Sequence, residues 1–212
     1  MTRKVLYIAI TIISLVALST SASAKSRGVG SLRTEWGLTA GLSYPVTRFD
    51  MNGSTASLSA KLGFSVGAHM ALRFGEVFAI QPEINFMHSK IAISDPTQHF
   101  SSTIRCNTLQ MPILFSFKWS KFRFHLGPVV TILDDPWYAD RAGEKVMFGR
   151  LYPTVSYAVG MSLCLWQRLL IDARFSSRFN TTTNFLSYDT VSPGTDIKST
   201  LHHLQLKVGV LF

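Results

Sequence analysis

An all-β fold, an eight-stranded antiparallel up-and-down transmembrane β-barrel with short turns at one end and long loops at the other, is predicted by three features of the sequence. Apolar residues alternate with small or polar ones at period two through eight segments. No stretch after residue 24 holds the roughly 20 apolar residues a spanning helix needs. The links between segments alternate short and long. In a bilayer a closed sheet is the one alternative to a helix that satisfies every backbone N–H and C=O.

The composition agrees. The 212 residues are 47% hydrophobic and 16% charged, whereas soluble domains carry about 25% charge. A mean hydropathy of +0.21 beside a pI near 9.8 excludes a disordered chain and fits one whose apolar surface faces lipid. At the N-terminus, Arg3 and Lys4 precede the apolar run Val5 to Leu18 and the small residues Ala22-Ser23-Ala24. That is the pattern of a secretory signal peptide over residues 1–24, since the run is too short for a spanning helix and ends in a cleavable A-x-A site. Cleavage removes two of the 21 basic residues and none of the 12 acidic ones, leaving a net charge of +7. Residues 25–33 are then a short periplasmic N-terminal segment and residues 34–212 the barrel.

Taken in order, the first strand carries Trp36, Leu38, Ala40, Leu42 and Tyr44, the second Leu62 to Phe74 at every second position, the third Phe78, Ile80, Ile84 and Phe86, and the fourth Leu109 to Trp119. The fifth carries Phe122, Phe124, Leu126, Val130 and Ile132, the sixth Val155 to Leu165, the seventh Leu169 to Phe179, and the last Leu204 to Phe212. Tight turns are expected around Gly75-Glu76, Ser120-Lys121 and Gln167-Arg168. Long loops are expected over 45–57, 91–102, 134–150 and 180–199, which hold Asn52-Gly53, Asp95-Pro96, Asp134-Asp135-Pro136 and Ser192-Pro193-Gly194. Short turns belong in the periplasm and long loops outside the cell, so the chain is expected in the outer membrane of a Gram-negative envelope, surrounded by its lipid.

A soluble sandwich or lipocalin-like barrel also alternates, but its apolar set points inward. Here the second set is Gly, Ser, Lys, Arg and Glu, too small and polar for a dry core, so the apolar set faces out. Trp36, Phe74, Phe78, Trp119, Phe122, Trp166 and Phe212 gather at the short-turn rim as an aromatic girdle.

These residues resemble the PorT-like outer-membrane β-barrel proteins of Gram-negative bacteria over most of the mature chain. The resemblance rests on Gly37-Leu38-Thr39-Ala40-Gly41, Gly63 to Gly67, Gln81-Pro82-Glu83, Leu109-Gln110-Met111-Pro112, Gly127-Pro128, Ile171-Asp172-Ala173-Arg174 and the final Phe212. It departs from the family at Gln110, where a glutamate is common. The resemblance implies that Phe212 is the signal read by the barrel-assembly machinery, and it suggests a part in protein secretion or surface-protein export. Pro82, Pro112 and Pro128 fall inside strands, where each removes a ladder N–H, so bulges are expected there.

The inward positions carry Lys61, Arg73, Lys118, Arg123, Arg174, Arg178 and Lys207 against Glu35, Glu83 and Asp172, with His69, His125 and His203 nearby. This basic lumen reads either as an anion-selective passage or as a salt-bridged plug. The plug is favoured because eight strands leave room only for their own side chains. The expected network is Lys61, Arg73, Glu83, Arg123, Asp172, Arg174 and Lys207, with Glu83 paired to Arg174 or Lys61, since an unpaired buried carboxylate is costly.

Catalytic groupings are sparse: His88 with Ser89, or His99 with Asp134 and Asp135, could supply a hydrolase or acyltransferase site at the outer rim, but ordinary loop polarity accounts for them. Asp134-Asp135 is too small a set for a cation, and the adjacent His202 and His203 point to opposite faces of a strand. No phosphate loop, dinucleotide fingerprint or cysteine metal spacing is present, so no cofactor is expected. The dispersed basic residues and the export signal argue against nucleic acid. The expectation is a non-enzymatic envelope barrel serving as a scaffold, a surface-loop binder or a component of an export assembly, with an outer-membrane enzyme as the alternative. Cys106 and Cys164 fall at opposite ends of different strands, so both are expected free.

Overall fold

The computed structural model describes residues 32–50, 57–96, 99–149, 151–166, 168–178, 182–186 and 195–212, and the side chains of these other than 47–50, 182–186 and 195–201. The signal peptide expected over residues 1–24 and most of the segment expected after it lie outside the described residues. Among the described residues ten strands form: β1 (Leu32–Asp50), β2 (Ser57–Phe74), β3 (Phe78–Asp95), β4 (Phe100–Trp119), β5 (Phe122–Ala139), β6 (Lys145–Met147), β7 (Val155–Leu165), β8 (Leu169–Arg178), β9 (Thr182–Leu186) and β10 (Thr195–Leu211). β6 and β9 are short additions, pairing with β5 and β10. The other eight form the ring β1-β2-β3-β4-β5-β7-β8-β10, antiparallel throughout and closed by β10 on β1 from Gly37↔Leu211 to Asp50↔Lys198.

The outward face is apolar, with Leu38, Leu42, Val66, Phe115, Leu126, Leu206 and Val208 all exposed, as a lipid-facing band requires. The girdle residues Phe74, Phe78, Trp119, Phe122, Trp166 and Phe212 are exposed as well; they lie at the short-turn end, where Phe74 pairs with Phe78 and Trp119 with Phe122. Gly75, at φ +71°, supplies the left-handed residue of the β2–β3 turn.

Three sequence expectations are corrected. The strands run further at the long-loop end than the outward apolar pattern indicates: β3 and β4 extend to Asp95 and Phe100, so most of the loop expected over 91–102 is strand. The three prolines carry no bulge. Pro82↔Ile113, Pro112↔Val129 and Pro128↔Tyr157 all stay in register, with ladder pairs missing only beside Pro82 and Pro112. The register shifts fall instead between Lys61 and Phe64 on β2 and opposite Leu109/Gln110, where β5 gains one residue at Ile132.

One extra residue reverses which side chains point inward. Below the β5 shift Arg123, His125 and Val129 are buried; above it the buried residues are Pro136 and Tyr138. On β2 the switch places Leu58 against the inner core and leaves Lys61 exposed, opposite Lys90. Lys61 is therefore not a lumen residue.

Candidate functional site

The lumen is filled in three layers. At its middle, β3 turns Gln81, Glu83 and Asn85 inward and β8 turns Asp172 and Arg174, since residues two apart share a face. Arg174 donates to both oxygens of Glu83, Nη1 to Oε2 at 2.6 Å and Nη2 to Oε1 at 3.0 Å, and Nη2 also reaches Asp172 Oδ2 at 3.3 Å. β3 and β8 stand four strands apart in the ring of eight, so this bidentate pair crosses the full diameter. Glu83 also accepts from Gln81 Nε2 at 2.7 Å and Asn85 Nδ2 at 2.9 Å. Asp172 Oδ2 accepts from Ser162 Oγ at 2.7 Å and lies 3.4 Å from His125 Nε2. His125 bonds Ser162 and, through Nδ1, Ser116 at 2.8 Å. Lys207 is 1% exposed and opposes Asp172 in the ladder, with no hydrogen-bond partner on Nζ among the described residues. Its ammonium adds charge, not a bond, to the two carboxylates.

Nearer the short turns, Glu35 of β1 joins two arginines: Arg123 Nη2 donates to Oε1 at 2.8 Å and Arg73 Nη1 to Oε2 at 3.3 Å. β1 and β5 are also diametrically opposed, so the Glu35–Arg123 pair is a second tie across the barrel. Below it a recess of about 450 Å³ opens to the short-turn end, lined by Lys118, Lys121, Cys164 and Trp166 among others.

The long-loop half holds what the sequence reading missed. Met87, Ile91 and Ile93 of β3, Phe100, Ile104 and Cys106 of β4 and Tyr138 of β5 form an apolar core with Phe148, Leu151 and Tyr152, which come from the chain between β5 and β7. That segment is fastened in place. Tyr152 N donates to Asp134 Oδ2 at 2.7 Å, Cys106 Sγ to Asp134 Oδ1 at 3.0 Å, and Arg178 Nη2 to the Leu151 carbonyl at 2.6 Å. Tyr152 Oη meets His203 Nε2 and, at 3.1 Å, Ser89 Oγ; His203 Nδ1 is bonded to Ser43 Oγ at 3.1 Å. The signal was present in the sequence. Val146, Met147, Phe148, Leu151 and Tyr152 are too apolar for a solvated loop, and Met87, Ile91 and Ile93 sit at inward positions.

Of the residues expected in the charge network, Glu83, Asp172, Arg174 and Lys207 meet in the middle layer, and Arg73 and Arg123 meet at Glu35; Lys61 joins neither. The candidate catalytic pairs are not assembled. His88 faces outward against Asn107 at 2.8 Å while Ser89 faces in, and the Asp134 carboxylate is occupied by Cys106 and Tyr152. Among the described residues no group of three or more His, Cys, Asp or Glu side chains could hold a metal. Phe212 closes the barrel seam: its N–H donates to Trp36 O at 2.8 Å while its ring is exposed.

The chain matches the model of the family described as outer membrane protein beta-barrel domain over residues 21–133, just over half its length. Among solved structures it is similar to Ail, the attachment invasion locus protein of Yersinia pestis, at 12% identity over 85% of this chain and 99% of that one, with a TM-score of 0.49. OprG from Pseudomonas aeruginosa is similar at 9% identity over 86% and 98%, with a TM-score of 0.48, and Neisserial surface protein A at 14% over 83% and 95%, with 0.46. No curated protein sequence matches the chain.

Proposed function

Because this chain belongs to the outer membrane protein beta-barrel domain family, and so resides in the cell outer membrane, we propose that it works there as a non-enzymatic, pore-less scaffold that meets its partners at its two ends. The observation that carries this reading is the cross-lumen pair of Arg174 and Glu83 lying beneath a buried apolar core. A diffusing solute would have to break a desolvated ion pair and displace Phe148 and Tyr152. With the interior occupied, the surfaces left to act are the loops outside, the recess in the periplasm and the lipid-facing wall. The resemblance to PorT-like proteins supports a place beside a protein-export assembly, and Phe212 suits recognition by the barrel-assembly machinery.

Recording from purified protein in planar bilayers tests the closed lumen: no steady conductance is expected, and a stable ion-selective pore would overturn the reading. Cross-linking in intact outer membranes, followed by identification of the captured envelope proteins, tests the scaffold role. A recurrent periplasmic or secretion partner is expected, and a product released from a hydrolysable lipid by the purified barrel would argue for an enzyme instead.

A further inference from the structure

Lys61, Lys90 and Arg105 stand side by side on three neighbouring strands. Lys61 is the ladder partner of Lys90, Lys90 of Arg105, and Arg105 of Trp137. Ser89 and Ile91 flank Lys90 and are buried inward, as Ile104 and Cys106 do around Arg105, so both cations project from the outer wall. Lys61 shares that face because the register shift below it brings it opposite Lys90. The Arg105 guanidinium lies 5.2 Å from the centre of the Trp137 ring and Lys145 Nζ lies 5.1 Å from it.

Like charges directly opposite one another destabilise a sheet, and this row places three together. Among the described residues no carboxylate makes an ion pair with any of them, and Asp135, in the row beneath, opposes Asn107. Such a row needs an external anion. Its depth says where the anion resides. On β2 the outward apolar run spans the eleven residues from Phe74 to Phe64; its residue-to-residue rises of about 3.3 Å, at a tilt of about 40°, cover roughly 25 Å, the height of the apolar band of outer-membrane barrels. Lys61 lies three positions above Phe64, next to the exposed Leu62, and Lys90 and Arg105 follow the last large outward apolar residues of their strands, Phe86 and Leu109, by four positions. The row therefore lies at the outer headgroup level, where tryptophan also partitions.

We propose that Lys61, Lys90 and Arg105 form a binding row for the phosphate groups of outer-leaflet glycolipid headgroups, with Trp137 and Lys145 at its edge. The two lysines supply mobile point charges and Arg105 a planar fork for phosphate oxygens. The site rests on the outer-membrane location and is independent of whether the lumen conducts.

Native mass spectrometry of the folded barrel in detergent tests this with bisphosphorylated lipid A, its dephosphorylated form and inorganic phosphate as probes. Retention of the bisphosphorylated lipid is expected, weakened on the order of 100-fold in the variant K61Q/K90Q/R105Q and about fivefold in Lys90→Gln alone. The heat-modifiable gel shift confirms that each variant is folded, and the single variant serves if the triple one is not. Equal retention of the dephosphorylated lipid, unchanged binding in a folded variant, or displacement of the lipid by inorganic phosphate at equal concentration would overturn the proposal.

Discussion

Arg174 and Glu83 face each other from opposite walls of the barrel and join through two parallel contacts of 2.6 and 3.0 Å. The guanidinium is planar and the carboxylate is already held by Gln81 and Asn85, so neither side chain turns without losing bonds. The pair thus acts as an internal strut, fixing the separation of β3 and β8, and the Glu35–Arg123 contact repeats the device closer to the periplasm.

Removing one end of this strut leaves a buried charge without its partner. Arg174→Met is expected to destabilise the folded barrel by about 3–5 kcal/mol, read from urea unfolding in detergent by the heat-modifiable band. The double variant E83Q/R174M is expected to lose less than the sum of the two single losses, because it removes both charges together. Strictly additive losses would show that the strut carries no coupling.

The apolar core of the outer half predicts a different response. Phe148 is fully buried against Tyr138 and belongs to the segment that folds into the mouth. Phe148→Ala is expected to remove about 3–5 kcal/mol of local packing and release that segment while the membrane-spanning ring stays closed. Externally added protease should then cut within residues 140–154 of cells carrying the variant and spare wild-type protein, with the heat-modifiable shift preserved in both. Resistance equal to wild type would mean that Asp134 and Arg178 hold the segment without help from the ring.

The eight ring strands, their connectivity and their lipid-facing side were legible because, within the bilayer, outside is apolar and inside is small or polar, so a single period-two pattern describes the sheet. Above the bilayer that contrast inverts: outside is water and inside is dry, and Ile91, Ile93 and Ile104 turn inward where Phe86 and Leu109 had turned outward. A reading keyed to outward apolar residues stops where the headgroups begin, which is why β3 and β4 were expected to end early. Within the candidate site, Glu83, Asp172 and Arg174 could be placed by parity alone. Lys61 could not, because a one-residue register shift leaves no mark in composition. Prolines drew the expected bulges to the wrong places; a missing N–H removes one bond without adding a residue, and only an added residue shifts the register.

The cysteines offer a labelling test of these layers. Both are free; Cys106 is fully buried against Asp134 and Thr108, whereas Cys164 lines the recess at the short-turn end. In the folded barrel a small maleimide is expected to modify Cys164 and leave Cys106 untouched. After unfolding without reductant, intact mass should show two labels. Labelling of Cys106 in the folded protein would contradict a dry outer layer, and no label after unfolding would reveal a disulfide.

The seam between the first and last strands is the step most exposed to a single substitution. Gly41 of β1 faces Lys207 of β10, and a Cβ at this position would stand 2.1 Å from the Leu206 carbonyl oxygen and 2.5 Å from Lys207 Cα. Those are backbone atoms of the partner strand and cannot rotate away. Gly41→Val is therefore expected to prevent β10 from closing on β1, leaving two open edges that no membrane barrel tolerates. The measurable outcome is loss of the heat-modifiable band and accumulation of unassembled protein in the periplasm. As a contrast, Gly143→Val lies in the exposed β5–β6 turn with open space around its Cβ; its φ of +85° predicts local strain there, and the closed barrel should still form. Normal assembly of Gly41→Val would show that β1 and β10 approach each other less closely than this register requires.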